Sequence, residues 1–124
     1  MTAKRHTDLI AWQKAMELVE EVYKVTKAFP ADERYGLTIQ LRRSAVSIPS
    51  NLAEGHSRNG RREFMHHVSI AHGSLSEAET QIEIAHRLGY MSDEQRDQLF
   101  ALSAETGRII NGLYNSLEKH AVAN

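Results

Sequence analysis

The residues best suited to chemistry are arginines in the middle of the chain. Residues 31–62 contain six arginines and no lysine against three acidic residues, whereas residues 63–124 contain nine acidic residues against four basic ones. Arginine is the preferred donor for planar, bidentate contacts with carboxylates and phosphates. The candidate donors to an anion or a nucleic acid are Arg42, Arg43, Arg58, Arg61 and Arg62. The alternatives are that Arg43 and Glu54 form salt bridges within or between subunits, or that the arginines belong to a plain solvated surface.

Polar side chains at helical spacing accompany these arginines. On a helix that turns by about 100° per residue, Ser47, Asn51 and Glu54 fall on the same side as Arg43. We call Ser47, Asn51 and Glu54 the polar stripe. Polar groups at a subunit boundary are costly unless they are hydrogen-bonded. One interpretation is therefore an anionic small molecule held between subunits by three arginines, namely Arg42, Arg43 and Arg58.

Metal and catalytic chemistry fit the sequence less well. Glu63-x-x-His66 and Glu83-x-x-His86 have the spacing of di-iron helical bundles. Both lie on one predicted helix, separated by about 30 Å along its axis, so they cannot share a site. The chain has no cysteine, no nucleophile-elbow serine and no glycine-rich phosphate loop. We expect no metal, no cofactor and no enzymatic activity, and solvated histidines at four positions, His66, His67, His72 and His86.

Four amphipathic segments must position these residues. Their apolar periodicity predicts helices at about 8–29, 35–57, 60–88 and 93–118. Alternating strand patterns are missing, and 124 residues suffice for one domain with a core. Short connections between helices favour antiparallel neighbours. The sequence thus predicts an all-α, up-down-up-down four-helix bundle that forms a single domain over residues 1–124.

The second helix is the central element of this prediction. Its core stripe consists of Leu37, Leu41, Ala45, Ile48 and Leu52. A second apolar stripe, spaced by seven, indicates an oligomer interface and consists of Ile39, Val46 and Ala53. Pro49 lies within the pattern and predicts a kink, because proline removes a helical hydrogen bond. The alternative is a helix that ends before Pro49.

The other three helices have predicted core seams of their own. In the first helix the seam is Leu9, Trp12, Met16, Val19 and Tyr23, flanked by Ala15, Val22 and Phe29. In the third helix it is a heptad series, Phe64, Val68, Ala71, Leu75, Ala78, Ile82 and Ala85. In the fourth helix it is Leu99, Leu102, Thr106, Ile109 and Leu113. Exposed aromatic residues such as Trp12 or Tyr114 are expected to add to subunit contact.

Several segments together resemble a known family. They are WQKAMELV (12–19), FP (29–30), RYGLT (34–38), QLRRSAVSIPSNLAEG (40–55), GSL (73–75) and ETQ (79–81). Over about residues 8–118 the chain resembles the bacterial 23S rRNA intervening-sequence protein family, also called the four-helix bundle protein family. The resemblance implies a cytosolic homopentamer whose molecular function is not established. A more distant relative is the accessory protein of diversity-generating retroelements, a basic pentamer that binds nucleic acid and a reverse transcriptase, whereas this chain has a net charge of -1.

The expected function follows from these observations. We expect a non-enzymatic, cytoplasmic homo-oligomer, a pentamer by resemblance, that acts as an interaction scaffold. Its expected partner is RNA, DNA or a nucleic-acid-handling protein, with no membrane involved. The alternatives are the anionic small molecule described above and an antitoxin-like or purely structural protein partner.

Overall fold

The chain folds into four long helices joined by short connections. The computed structural model describes residues 4–123, so residues 1–3 and 124 of the expected domain lie outside the described residues. The helices are α1 (Ile10–Thr26), α2 (Leu37–Ser57), α3 (Arg61–Arg87) and α4 (Asp93–Ala123). Short 3-10 turns precede α1 and α2, at His6–Asp8 and Ala31–Glu33. Since the described part of the chain contains no strand, the all-α prediction is confirmed.

The helices pack as a closed, antiparallel bundle. Each helix contacts the next one in the chain, and α1 also contacts α4. Across α2 and α3, Ser47 bonds to Ser74 and Asn51 bonds to His67, so these helices run in opposite directions. The start of α1, the turn between α2 and α3, and the end of α4 therefore lie at one end of the bundle. None of the described helices combines the length and hydrophobicity required for a membrane span.

Local sequence explains where α3 ends and α4 begins. Gly89 has a φ of 81°, and the N–H of Tyr90 donates to the carbonyl of Ala85 over 2.9 Å. This is a Schellman ending, which needs a residue without a Cβ in the left-handed conformation. At the start of α4, the backbone N–H of Ser92 donates to Gln95 Oε1, and the N–H of Gln95 donates to Ser92 Oγ. This capping box satisfies donors that have no partner within the helix.

Helix α2 is continuous through Pro49. The helix spans Leu37–Ser57 with Pro49 inside it and buried, so the alternative of a helix that ends before Pro49 is wrong. The apolar side chains on both sides of the proline hold the helix against the core, which offsets the lost hydrogen bond. The kink near Pro49 stays a prediction.

The core follows the predicted stripes of α2 and α3. All five predicted core residues of α2 are at most 8% exposed. In α3 the predicted seam is buried from Val68 to Ala85, and Phe64 packs half-buried against it. Alanines at three of these seam positions, Ala71, Ala78 and Ala85, bring the neighbouring helices close together. The two central helices were predictable because each has one narrow core stripe.

The predicted core seam of α1 is wrong, whereas the predicted flanking residues Ala15, Val22 and Phe29 are buried. The residues of α1 that enter the core are Ala11, Ala15, Leu18, Val22, Val25 and Thr26. Leu9, Trp12, Met16 and Val19 are only half-buried, and Tyr23 is 39% exposed. The helix has two apolar faces with the same 3-4 spacing, and periodicity alone does not distinguish them. The face with the smaller side chains enters the core, and the face with tryptophan and methionine remains at the surface.

The seam of α4 is correct only in part. Leu99 and Thr106 are buried as predicted, whereas Leu102, Ile109 and Leu113 are half-buried. Ser103 and Ile110 complete the buried side. The Ser103 hydroxyl donates to the carboxylate of Glu79 on α3. Because that bond satisfies the buried hydroxyl, a serine can occupy a core position that an apolar pattern does not predict.

Candidate functional site

The polar stripe of α2 packs against α3 of the same chain. Ser47 Oγ lies 2.8 Å from Ser74 Oγ. Asn51 Nδ2 donates to the Ser47 carbonyl and to Ser47 Oγ, over 2.9 and 3.0 Å. Asn51 Oδ1 lies 3.2 Å from Nδ1 of His67. These bonds link the two helices, so Ser47 and Asn51 are occupied within the chain.

His67 differs from the solvated histidine that we expected. It is 9% exposed and belongs to the buried side of α3, so the expectation was wrong for this residue. Its second ring nitrogen lies 3.9 Å from the Glu54 carboxylate. The imidazole contacts Asn51 and Glu54, and neither Ser47 nor Ser74 is bonded to it. The cluster therefore connects helices and does not have the arrangement of a nucleophile with its base.

Glu54 and Arg58 form a charged end to this cluster. Arg58 donates to the Glu54 carboxylate over 2.6 Å, one helical turn away. The Arg58 guanidinium, with His67 as a second cause, lowers the pKa of Glu54 below its ordinary value. The carboxylate in turn raises the pKa of Arg58. Glu54 thus forms a salt bridge within the chain, and its partner is Arg58.

The five candidate arginines do not form one patch. Arg58, Arg61 and Arg62 lie together at the turn between α2 and α3, and we call these three residues the arginine turn. Arg42 lies about 24 Å from Arg58 along the axis of α2, near the other end of the bundle. Arg43 is exposed beside it on α2. A single chain therefore brings together three of the five, with Arg62 exposed and Arg61 half-buried with an unbonded Nε.

Arg42 is held between α1 and α2. Its Nε donates to Thr26 Oγ1 over 2.8 Å, and its guanidinium carbon lies 4.5 Å from the centre of the Tyr23 ring. The Thr26 hydroxyl donates its own proton to the Val22 carbonyl over 2.7 Å. The side chain of Arg42 is thus fixed by a hydrogen bond and a cation–π contact.

The second apolar stripe of α2 borders an open groove on α1. Val46 and Ala53 line this groove together with Trp12, Met16 and Val19, and its volume is about 300 Å³. We call it the α1–α2 groove. Val46 is 39% exposed. Ile39, two turns before Val46 on α2, is half-buried. Tyr114 is half-buried on α4, beside Val68 and His72 rather than on this groove.

The remaining histidines do not assemble a metal site. His66 and His72 are exposed, as expected. His86 is half-buried, which corrects the expectation of a solvated side chain, and its Nε2 lies 2.6 Å from Asp93. That contact lowers the pKa of Asp93. Among the residues that the structure describes, no three ligand-type side chains are close enough to hold a metal ion.

Sequence reasoning missed several partners of the predicted residues. Ser74 and His67 were not linked to the polar stripe, and Tyr23 and Thr26 were not linked to Arg42. Each pair joins two helices, so it depends on the register between the helices, which one sequence does not contain. One signal was available, because Ser74 is a small polar residue directly beside the apolar seam, next to Leu75.

The fold and the contacts between its helices define the class of protein. The chain is an antiparallel four-helix bundle with a polar cluster between its two central helices. Residues 7–112 match the family described as 23S rRNA-intervening sequence protein. The chain therefore belongs to the 23S rRNA-intervening sequence protein family, as the sequence predicted.

Solved structures share this fold. One of them is a protein of unknown function from the S23 ribosomal protein family of Bacteroides thetaiotaomicron. It superposes with a TM-score of 0.78 at 22% identity and covers 85% of this chain and 98% of its own. This similarity shows a common fold. No curated protein sequence matches the chain.

Proposed function

We propose that this protein is a non-enzymatic scaffold that associates with copies of itself and, as an assembly, contacts nucleic acid. The observation that carries the proposal is the α1–α2 groove, an apolar surface that the single chain leaves open. The resemblance to the family supports a ring of five copies in a bacterial cytoplasm. The molecular activity of the protein would then be binding rather than catalysis.

The α1–α2 groove has the properties of a surface that another copy covers. Helix α1 turns only one of its two apolar faces into the bundle core. Trp12, Met16 and Val46 remain at the surface, although burying each such side chain contributes about 1.5–3 kcal/mol. Contiguous apolar surface of this kind marks interaction sites. A further copy is the occupant that we propose, because each copy presents the same groove.

The substitution Val46→Glu tests self-association. A carboxylate at this lining position of the groove would be buried without a partner in the assembly, so we expect the oligomer to dissociate. Native mass spectrometry measures the number of chains. The matched control is Gln40→Glu, which introduces the same charge at an exposed position of the same helix. A Val46→Glu protein with the wild-type mass would contradict the proposed interface.

The arginine turn supports contact with nucleic acid. Arg58, Arg61 and Arg62 lie within five residues at one end of the bundle, where a ring of copies would repeat them. Nearby Glu54 pairs with Arg58, and Glu63 is the acidic residue in the first turn of α3. Arginine forks fit phosphate oxygens, and each neutralised phosphate makes binding steeply dependent on salt. The near-neutral charge of the chain confines this function to a local surface.

A salt series on two matched variants tests this contact. Arg58 and Arg87 are each paired with a glutamate one turn earlier on their helices, but they lie at opposite ends of the bundle. We expect Arg58→Gln to weaken binding to labelled duplex DNA or structured RNA and to reduce the salt slope by about one unit. Arg87→Gln should leave both unchanged. Equal anisotropy curves for the two variants and the wild type would refute the arginine turn as the interface.

The alternative of an anion held between subunits receives less support. Arg42 and Arg58 lie about 24 Å apart along α2, so one chain cannot bring them to one small molecule. The polar stripe is already bonded to α3. A purely structural role remains the alternative if the salt series shows no binding of nucleic acid.

A further inference from the structure

A cationic cleft opens at the end of the bundle opposite the arginine turn. It lies between the last turn of α1, the connection to α2 and the first turns of α2, and its volume is about 380 Å³. Its charged lining residues are Lys27, Arg34 and Arg42, and no acidic residue lines it. Thr26 and Thr38 add hydroxyl groups. We call it the Arg42 cleft, and an anion is the ligand that its charge favours.

Arg42 is oriented in this cleft before any ligand binds. Its Nε is bonded to Thr26 and its guanidinium rests on Tyr23. Among the described residues, no acceptor is hydrogen-bonded to its two terminal nitrogens. Those nitrogens are therefore available as a fork for two oxygens of one ligand. Because the side chain is already fixed, binding costs little rotamer entropy.

The two other cations of the cleft are also uncompensated. Lys27 and Arg34 are exposed, and neither forms an ion pair with a described residue. Glu33 is close in sequence, but its carboxylate accepts the N–H of Leu37 over 3.0 Å and the hydroxyl of Tyr90 over 2.8 Å. Asp32 is exposed beside it and does not line the cleft. Three positive charges thus face one open volume.

We propose that the Arg42 cleft binds a small phosphate monoester. A monoester dianion offers three oxygens, which match the Arg42 fork and the charges of Lys27 and Arg34 better than a single carboxylate does. Thr38 lies in the first turn of α2, where the positive end of the helix dipole adds to the attraction. Pro30 and Ala31 provide a short apolar wall for the organic part. The site uses none of the residues of the arginine turn or the α1–α2 groove.

Calorimetry with ribose 5-phosphate tests this assignment on the full chain at low salt. We expect binding, and we expect Lys27→Gln and Arg34→Gln each to weaken it by about tenfold. Both residues are exposed, so neither change should disturb the fold. Arg42→Lys keeps the charge but loses the fork, and it should weaken binding to a similar extent. The matched control is Arg43→Gln, which removes an exposed arginine of the same helix outside the cleft.

Three results would overturn the proposal. The first is an absence of binding to the wild-type protein. The second is equal weakening by Arg43→Gln and Arg34→Gln, which would show attraction to overall charge rather than to the cleft. The third is equal affinity for ribose 5-phosphate and for either succinate or inorganic phosphate, because the cleft would then not select a phosphate monoester. Tighter binding of ribose 5-phosphate than of succinate, inorganic phosphate and unphosphorylated ribose would support the proposal.

Discussion

At the scale of single residues, Gly55 sets how closely α2 and α3 approach. A Cβ at this position would lie 2.6 Å from the Cβ of His67 and 3.2 Å from the ring of Phe64. The close approach brings His67 within reach of Asn51 and places Glu54 near its ring. The polar cluster between the helices therefore depends on a residue without a side chain.

Gly55→Ala should destabilise the protein despite the higher helix propensity of alanine. The new methyl group collides with the base of His67 and not with a flexible end, so the helices must separate, at a cost of about 1–3 kcal/mol. The control is Gly73→Ala on α3, where a Cβ meets nothing within 4 Å. That change should stabilise by up to about 1 kcal/mol. Urea unfolding measures both, and a Gly55→Ala variant as stable as Gly73→Ala would contradict the close packing.

At the scale of elements, Glu33 fixes the start of α2. Its carboxylate accepts the first free N–H of the helix, from Leu37, and the hydroxyl of Tyr90 in the middle of the α3–α4 connection. The backbone bond is the larger cause and the tyrosine bond the second cause of a pKa below the ordinary value for glutamate. One side chain thus joins a helix start to a distant connection.

The contribution of Glu33 to the stability of the fold should disappear at acidic pH. Because its pKa is lower in the folded chain, the stabilisation is complete above the ordinary value of 4.5 and is lost as the pH falls through the folded value. Glu33→Gln should therefore melt below the wild type at pH 7, and the gap should narrow towards pH 3. The control is Asp32→Asn on the same turn. Differential scanning calorimetry measures the two melting temperatures. A difference between them that is constant with pH would contradict the role of the Glu33 carboxylate.

At the scale of the whole molecule, the two ends of the bundle carry different basic surfaces, and an apolar groove lies along one side. The arginine turn lies at one end and the Arg42 cleft at the other, while the α1–α2 groove lies along the side between them. A second groove, between α1 and α4, is lined by four acidic residues, Glu17, Glu20, Glu21 and Glu105, and by two basic ones, Lys24 and Arg108. The near-zero net charge therefore conceals surfaces of opposite sign.

Self-association predicts a stability that depends on concentration. If copies cover the α1–α2 groove, the wild-type melting temperature should rise with protein concentration, because assembly removes folded monomer by mass action. Val46→Glu should melt at one temperature over the same range. Differential scanning calorimetry over a hundredfold dilution compares the two. A concentration-independent wild type would argue against assembly through the groove.

The sequence predicted the helices and the core of α2 and α3. Helix propensity depends on the local sequence, and each of these two helices has one narrow apolar stripe that identifies its core side. The prediction failed for the seam of α1, where Leu18 enters the core and Trp12 and Met16 do not. Two apolar faces are indistinguishable until the neighbouring helices are placed. The polar stripe was found, but its partners on α3 were not, because their pairing depends on register across the bundle.

The Arg42 cleft was beyond prediction for a related reason. Its residues come from the end of α1, a 3-10 turn and the second turn of α2. The sequence pointed to Arg42 as a donor but grouped it with Arg43 and Arg58. Only the bond to Thr26 and the contact with Tyr23 show which way the guanidinium is held.

The antiparallel topology has a practical consequence for engineered fusions. Helix α1 begins and α4 ends at the same end of the bundle, beside the arginine turn. A reporter domain attached at either point would stand next to that turn and obstruct a long polyanion there. A label attached to the surface of the α3–α4 connection would lie at the opposite pole and leave the turn clear. Immobilising the protein on a sensor chip through this connection would present its arginines to the flowing solution.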